Sequence, residues 1–249
     1  MSFTQKKNYI RLVSICMLMT SIIFVGCKKE GAQGPEDKYS ALFKDRTWSG
    51  EFKYANKFIT EPFNMTFKGD GTLIWREYSN TYGGKYTIDK NAGIITFGLN
   101  PSASQVSAKI ALEGKLTDFT FNQSEWRIIH SEINNAETER QIENTAWEGI
   151  TYDEDGNGRG AHFNFLTNGQ VHIPAGGLGV NFESTYYYSR SSGTLRFQHD
   201  KTSGSIRVAG TLFFVFMADS SLKGYEVRQL WVNGSLNGRY LHNFTVFKQ

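Results

Sequence analysis

Apolar and polar residues alternate along most of the chain beyond residue 40, and turns containing glycine recur about every ten residues. A period of two broken by short turns predicts β-strands joined by hairpins. In FNMTFKGDGTLIW, residues 63–75, a two-residue loop would pair Phe67 with Ile74 and divide the apolar residues between two faces. A three-residue loop with Gly71 in the left-handed region pairs Phe67 with Leu73. Only this register collects the apolar side chains on one face, so we predict it.

The next stretch, YTIDKNAGIITF at 86–97, follows the same rule. Tyr86 and Ile88 are predicted to face Phe97 and Ile95 across a loop that contains glycine. Consecutive strands joined by short turns form a meander, and about eight of them can close into an up-and-down barrel without exposed edges. The pattern predicts seven or eight strands in the first half of the chain.

Four segments of the first half return in the second half in the same order, at an offset of about one hundred residues. The pairs are TWSGEFKY (47–54) with AWEGITY (146–152), FNMTFKGDGTLIW (63–75) with HFNFLTNGQVHI (162–173), YTIDKNAGIITF (86–97) with YYYSRSSGTLRF (186–197), and IALEGKL (110–116) with IRVAGTL (206–212). Matching tryptophan, glycine and turn residues in one order indicates a duplication. We predict two units, 41–132 and 145–249, joined by a polar linker or short surface helix at 133–144.

The order of these motifs resembles that of a known family. In the first unit, W-x-G at Trp48–Gly50, F-x-x-D-G-T at Phe67–Thr72, and G-x-Y-x-I followed by G-I-I-x-F within Gly84–Phe97 are similar to motifs of bacterial lipocalin-like lipoprotein domains, which are small calycin-type barrels. The second unit carries the resemblance at Trp147–Gly149, Phe165–Val171 and Tyr186–Phe197. The resemblance implies an all-β protein of two tandem small antiparallel up-and-down barrels in the cell envelope, and it implies no particular ligand.

The N-terminus has the three parts of a secretory signal peptide. A cationic head at residues 6–11 precedes an apolar run, Leu12–Val25, which ends at Gly26 and Cys27. The run is shorter than the roughly 20 residues of a membrane-spanning helix. We therefore predict cleavage, with an uncleaved membrane anchor as the alternative.

The ending Gly26-Cys27 resembles the lipobox of bacterial lipoprotein signals, although Phe24 stands where that family has leucine. The resemblance implies a signal peptide of residues 1–26, acylation of the Cys27 sulfur, and a membrane anchor in which each buried methylene contributes about 0.8 kcal/mol. Residues 27–40 are polar with glycine and proline, which predicts a flexible tether. The expected location is the outer membrane, on its periplasmic or surface face, and the sequence leaves the inner membrane as an alternative.

Charge and cysteine content narrow the class of partner. The formal net charge is +3, but the predicted signal peptide holds three cations and no acid, so the remainder is formally neutral. We expect no nucleic-acid partner, because such a protein needs a basic face. Loss of Cys16 and acylation of Cys27 would leave no thiol for a disulfide, a zinc site or a nucleophile.

The sharpest candidate for metal chemistry is the stretch DEDGNG at 153–158. Asp153, Asp155 and Asn157, followed by glycine, match the first half of a calcium loop, in which alternate oxygen ligands face one ion. The twelfth position is Asn164 instead of a bidentate glutamate, and strands rather than helices are predicted on either side. A calcium site and a plain strand-connecting turn are both open, and the turn is favoured.

The histidines give weaker signals. His162 and His172 are predicted on the outward face of one hairpin, and two imidazoles without a third ligand make a poor metal site. His130, His199 and His242 have no evident partner in the sequence.

The aromatic residues have two interpretations. An exposed row of rings would suit a glycan, whereas rings that pair across strands fill a core. Trp48 and Trp147, at the start of the two units, are predicted core residues. Tyr187 points opposite to Tyr186 and Tyr188 in a strand, which predicts an exposed ring.

The sequence contains none of the common catalytic motifs for nucleophilic, phosphate or zinc-dependent chemistry, so we predict that the protein is not an enzyme. The predicted function is non-catalytic binding of a small apolar ligand or a glycan fragment inside a barrel of a membrane-anchored envelope lipoprotein. The alternative is a structural or interaction protein with solid barrels, either a scaffold for envelope proteins or an enzyme inhibitor. No cofactor is expected apart from the possible calcium ion.

Overall fold

A computed structural model describes residues 35–78, 80–99, 104–122, 125–134, 141–174 and 181–249. The predicted signal peptide, Cys27 and the tether up to residue 34 lie outside the described residues. Helix α1, Pro35–Phe43, begins within the segment predicted as tether. Within the described ranges, no helix is both long and apolar enough to cross a membrane.

The rest of the described chain is almost entirely β-structure, arranged as two closed antiparallel barrels of eight strands each. Each strand pairs with its neighbours in sequence, and the last strand of each barrel pairs with the first, which confirms the predicted up-and-down topology. Barrel 1 contains β1 (Arg46–Tyr54), β2 (Glu61–Phe67), β3 (Thr72–Arg76), β4 (Thr81–Asp89), β5 (Ile94–Leu99), β6 (Ser104–Ala111), β7 (Lys115–Phe121) and β8 (Trp126–Ile133). Barrel 2 contains β9 (Thr145–Asp153), β10 (Gly158–Phe165), β11 (Gln170–Ile173), β12 (Phe182–Ser189), β13 (Thr194–Ser203), β14 (Ile206–Phe216), β15 (Leu222–Val232) and β16 (Ser235–Lys248).

The predicted hairpin registers are confirmed. Phe67 lies opposite Leu73, and Gly71 has a φ of 84°, as the three-residue loop requires. In the next hairpin Tyr86 lies opposite Phe97, and in the second copy Tyr186 lies opposite Phe197. The alternation of apolar and polar residues predicts these registers correctly because a one-residue shift of either strand would move all of its apolar side chains to the outer face.

One of the four repeat matches is wrong. Residues 110–116 span the end of β6, a turn and the start of β7, whereas residues 206–212 lie within the single strand β14. The ladders instead equate Val106 with Leu212, because these residues lie opposite Phe97 and Phe197 respectively. The error arose because β13 and β14 are longer than β5 and β6, so the offset between the two copies changes there.

The base of each barrel is closed in the same way. Trp48 and Trp147 are buried, as predicted. Five residues before each tryptophan lies a buried apolar side chain, Phe43 or Ile142, that packs into the same core. Three residues before it the backbone is left-handed, with φ of 56° at Asp45 and 54° at Asn144. Phe43 falls within the predicted first unit, whereas Ile142, which the sequence placed in the linker, packs into the core of barrel 2.

Aromatic rings fill the interior of barrel 1. Phe43 stacks on Trp48 with ring centroids 4.8 Å apart, and higher in the barrel Phe63 stacks on Trp75 at 4.0 Å. Phe52, Phe97 and other buried rings pack around these pairs. Side chains of this kind supply large buried apolar areas and specific edge and face contacts, so this barrel has a close-packed core.

The two barrels lie in one compact unit, Tyr39–Gln249, and contact each other directly. Every residue of β2 is buried, because barrel 2 covers the outer face of this strand. The Asn64 amide donates to the carbonyl of Ser192, and the Asn134 amide donates to the carbonyl of Phe216 at 2.6 Å. Both amides are buried and bond across the interface, so they fix the position of one barrel against the other.

Apolar and charged contacts complete this interface. Phe213 and Val215 on the outer face of β14, with Met217 directly after the strand, form a buried cluster with Tyr78 of barrel 1. The ammonium of Lys223 lies 3.2 Å from the carboxylate of Glu51. A strand that is apolar on both faces, such as β14, is expected where one face lines a barrel and the other packs on a neighbour.

Candidate functional site

The two barrels differ most in their interiors at the end away from the tryptophans. Following the ladders from Tyr86 leads through Phe97 and Val106 to Phe121 in barrel 1. The same path from Tyr186 leads through Phe197 and Leu212 to Glu226 in barrel 2. An aromatic core position of the first copy is therefore a carboxylate in the second.

At four further positions an apolar or aromatic residue of barrel 1 is likewise replaced by a smaller polar residue in barrel 2. Tyr54 lies opposite Trp126 in barrel 1, and the equivalent pair in barrel 2 is Asp153 with His242. The complete set in barrel 1 is Phe52, Tyr54, Leu99, Phe121 and Trp126, and in barrel 2 it is Thr151, Asp153, His199, Glu226 and His242. Replacing mostly large aromatic side chains by smaller polar ones both removes packing volume and introduces hydrogen-bonding groups.

Glu226 is the centre of this polar cluster and is fully buried. Its Oε1 lies 2.6 Å from His199 Nε2 and accepts a hydrogen bond from Arg228 Nε at 3.0 Å. Its Oε2 accepts from Arg228 Nη2 at 2.8 Å and lies 3.5 Å from His242 Nδ1. Two-point contact with the guanidinium and a further bond to imidazole satisfy the buried carboxylate.

The charges of this cluster follow from these contacts. Burial alone would raise the pKa of the Glu226 carboxyl, but the hydrogen bond to His199 and the charge of Arg228 outweigh burial and lower that pKa to about 2. Burial, with the charges of Arg228 and Arg159, lowers the pKa of His242 against the opposing effect of Glu226. Since ionised Glu226 only accepts hydrogen bonds, His199 Nε2 carries the proton that they share.

Several polar atoms of the cluster have no hydrogen-bond partner. They are His199 Nδ1, His242 Nδ1 and Thr151 Oγ1, all fully enclosed. His242 Nδ1 faces Glu226 at a distance too long for a good hydrogen bond. Buried polar atoms are nearly always paired, so these three are exceptions, and a ligand in the cavity could reach them only if side chains of the cluster shift.

A cavity of about 370 Å³ adjoins this cluster. Its floor contains Thr151, Arg228 and His242, and its walls include the apolar side chains of Val208 and Leu230 with the ring of Tyr240. The long strands β14, β15 and β16 form one wall and the turn between β9 and β10 forms the other. The volume is in the lower part of the range for small-molecule sites, about 300–1,000 Å³.

The candidate calcium residues line the rim of the same cavity, where they form a turn. Asp153 Oδ1 accepts from the backbone N–H of Asp155 at 3.1 Å and of Asn157 at 2.8 Å. The Asn157 amide also donates to both oxygens of Asp153. These bonds are those of an aspartate that stabilises its own loop. In the described ranges no group of three or more His, Cys, Asp or Glu side chains is placed to hold a metal ion.

The histidine predictions were partly right. His172 lies opposite Asn164 on the outer face, and His162 Nδ1 lies 3.2 Å from Glu148, away from the cavity. The expectation that His199 and His242 lack partners was wrong, because both contact Glu226. A signal was available: Leu195, Phe197 and His199 alternate on one face of β13, so the alternation itself places His199 inside.

The structure also shows the surroundings of Tyr187 and His130. Tyr187 is 76% exposed, as predicted from its opposite orientation to its neighbours. His130 lies 3.8 Å from Glu51 and from Glu132 on the outside of barrel 1. Sequence reasoning missed Glu226 and Arg228, because no motif surrounds them and only the barrel brings them beside His199.

Comparisons with known proteins add little to this geometry. No protein family and no curated protein matches the chain. Among solved structures, the chain is similar to a protein of unknown function from Nostoc punctiforme that belongs to the DUF3598 family, with 10% sequence identity and a TM-score of 0.26. That alignment covers 85% of this chain and 98% of the other chain.

Proposed function

We propose that the protein is an exported, lipid-anchored protein of the cell envelope that binds a small polar molecule, such as a glycan fragment, in the open end of barrel 2. The observation that carries this proposal is the cavity of barrel 2, whose lining combines Arg228, His242 and the rim carboxylates with apolar side chains. The predicted signal peptide and Cys27 support export and anchoring. No catalytic role is proposed.

The chemistry of the cavity favours a polar ligand over a purely apolar one. An apolar molecule seated on Arg228 and His242 would remove water from them without replacing its hydrogen bonds, which costs several kcal/mol for charged groups. A hydroxyl-rich ligand can both donate and accept, so it can hydrogen-bond to the His242 imidazole, the Arg228 guanidinium and the rim carboxylates. Val208, Leu230 and Tyr240 then provide the apolar wall that sugar rings also use.

The test is to purify the mature protein gently from its native host and identify small molecules that co-purify, by mass spectrometry. A Leu230→Trp variant fills the cavity and should lose the bound molecule. A Leu112→Trp variant adds the same ring at a position of barrel 1 that is 59% exposed, and should retain it. Equal retention by both variants, or no bound molecule in any of them, would contradict the proposal.

A scaffold role is the second candidate, and it rests on barrel 1. The packed aromatic interior of this barrel resembles a solid core rather than a container. In this alternative barrel 1 holds barrel 2 away from the membrane and presents its outer surface to other envelope proteins. Cross-linking in intact cells would identify such partners.

A further inference from the structure

A second cavity lies between the two barrels and shares no lining residue with the cavity of barrel 2. Its volume is about 340 Å³. Barrel 1 contributes Arg76, Glu77 and Thr81 at the junction of β3 and β4, and barrel 2 contributes residues of β12, β13 and β14, including Tyr187, Arg196 and Phe213. We call this cavity the inter-barrel groove.

Both arginines of the inter-barrel groove are held by neutral acceptors. Arg76 Nη1 donates to Thr66 Oγ1 at 2.9 Å and to Asn64 Oδ1 at 3.3 Å. Arg196 Nη2 donates to the carbonyl of Tyr78 at 2.6 Å. Neither forms an ion pair with a carboxylate of the described residues. Each guanidinium is therefore fixed in place while its charge is not neutralised.

The surroundings of Arg76 make its charge costly, whereas Arg196 is exposed. Arg76 is half-buried, and burial lowers the pKa of its guanidinium. Buried charges are normally paired, because removal from water without a counter-charge is unfavourable. The one carboxylate that lines the groove is that of Glu77. It accepts hydrogen bonds from Trp75 Nε1 at 3.0 Å and from the Tyr82 hydroxyl at 3.3 Å. The lining of the groove thus holds two cations against one carboxylate, and that carboxylate is hydrogen-bonded to neutral donors instead of to either arginine.

Aromatic rings form the other part of the groove. The Tyr187 ring is 76% exposed, although it belongs to a strand of a barrel that buries most of its large apolar side chains. The Arg196 guanidinium lies over the Phe213 ring, 5.5 Å from its centroid, which keeps the guanidinium flat against the wall. A flat ligand could lie along Tyr187 while its charged end reaches the two arginines.

We infer that the inter-barrel groove is a second binding site, and that it takes a small organic oxyanion, a carboxylate or a phosphate ester, that carries a flat ring. Arg76 from one barrel and Arg196 from the other would contact the oxyanion, and Tyr187 would cover the ring. The site exists only because the two barrels are docked, so neither barrel alone would bind this ligand.

The test is titration calorimetry of the mature chain with four probes: phenyl phosphate, benzoate, inorganic phosphate and uncharged benzyl alcohol. We expect saturable binding of phenyl phosphate or benzoate, and the stronger of the two identifies the oxyanion. Arg76→Gln and Arg196→Gln should each weaken this binding by about tenfold, the value of one charge-assisted hydrogen bond. Tyr187→Ala should weaken it less, without affecting the fold.

Two matched controls distinguish binding in the inter-barrel groove from binding elsewhere on the protein. Arg127→Gln removes a positive charge from the exposed outer face of barrel 1 and should leave binding unchanged. Leu230→Trp fills the cavity of barrel 2 and should also leave it unchanged, so failure of the proposed function does not affect this result. An absence of binding, or equal weakening by Arg127→Gln and Arg196→Gln, would overturn the inference. Equal binding of inorganic phosphate and phenyl phosphate would overturn the ring contact.

Discussion

Glu226 shows how one side chain can change the chemistry of a whole barrel end. Its position on the ladders is that of Phe121 in barrel 1, and an isolated ionised carboxylate there would be strongly unfavourable. The carboxylate is stable because Arg228 contacts both of its oxygens and His199 contacts one. Glu226 is therefore the shared partner of the other two, and its loss would leave His199 and Arg228 without their carboxylate.

The first prediction concerns Glu226 and acid stability. Because the pKa of Glu226 is lowered to about 2 from its ordinary 4.5, the folded state binds the proton less readily than the unfolded state. The stabilisation is therefore present above pH 4.5 and is lost as the pH falls towards 2, and it amounts to about 3 kcal/mol. Urea unfolding at several pH values measures this loss.

A Glu226→Gln variant is the control for this measurement, since other carboxylates titrate in the same range. The variant should be less stable than the wild type at pH 7 by about 3 kcal/mol, because glutamine cannot accept from both His199 and the two nitrogens of Arg228. The difference between the two proteins should narrow towards pH 2. A difference that stays constant with pH would contradict the assignment of the charge to Glu226.

Glu77 of barrel 1 provides the opposite case. Burial is the main cause that raises the pKa of this carboxyl, and its oxygens accept from Trp75 and Tyr82. In glutamine the amide oxygen can accept from Trp75 Nε1 while the amide NH2 donates to the Tyr82 hydroxyl, so both contacts can be kept without a charge. Glu77→Gln should therefore leave the free energy of unfolding at pH 7 unchanged or raise it by about 1 kcal/mol. A loss of 2 kcal/mol or more by urea unfolding would show that the charge itself stabilises the fold.

At the scale of the element, the W-x-G motif has a packing basis. Gly50 and Gly149 follow the base tryptophans on β1 and β9, where the last strand of each barrel closes onto the first. A Cβ at Gly50 would collide with the carbonyl of His130, and one at Gly149 with the carbonyl of Thr245. Both collisions involve backbone, which cannot turn away as a side chain can. The motif therefore marks the seam of each barrel.

The prediction at this scale uses these glycines. Gly50→Ala and Gly149→Ala should each destabilise the protein by about 3 kcal/mol, because the closing strand must shift. Gly83→Ala on β4 is the matched control: no heavy atom lies within 4 Å of its added Cβ, so little change is expected. Thermal unfolding followed by circular dichroism measures all three. Similar stability of the Gly83 and Gly149 variants would refute the role assigned to the seam glycines.

At the scale of the whole molecule, the interface between the barrels has the character of a core. Asn64 and Asn134 make buried hydrogen bonds across it, and the β14 cluster of Phe213, Val215 and Met217 is at most 3% exposed. Interfaces that bury apolar and satisfied polar groups in this way couple the stability of the two sides. The two barrels are expected to unfold together.

A charge buried at this interface should uncouple the unfolding of the two barrels. Val215→Asp buries a carboxylate in the apolar cluster, so we expect the single calorimetric transition of the wild type to divide into two, with a lower first midpoint. Phe247→Asp places the same charge on the outer face of β16, where Phe247 is 50% exposed, and should preserve one transition. Two transitions in the wild type itself would contradict the coupling.

The amino-acid pattern by itself determined the strands, the hairpin registers around Gly71 and Gly93, the duplication and the buried base tryptophans. These features depend on neighbours in sequence: a turn residue and an alternation of period two define a hairpin locally. The equivalence of residues 110–116 with 206–212 failed, because strand lengths change between the copies and apolar strands look alike.

Only the tertiary structure decided which barrel has a polar cluster at one end and which arginines line a common groove. Glu226 lies 27 residues from His199 along the chain, and Arg76 lies far from Arg196, so no short motif could connect them. Barrel closure and barrel docking bring such residues together, and both depend on packing between distant strands. The fold could therefore be predicted from the local sequence pattern, whereas the candidate sites could be found only from the three-dimensional arrangement.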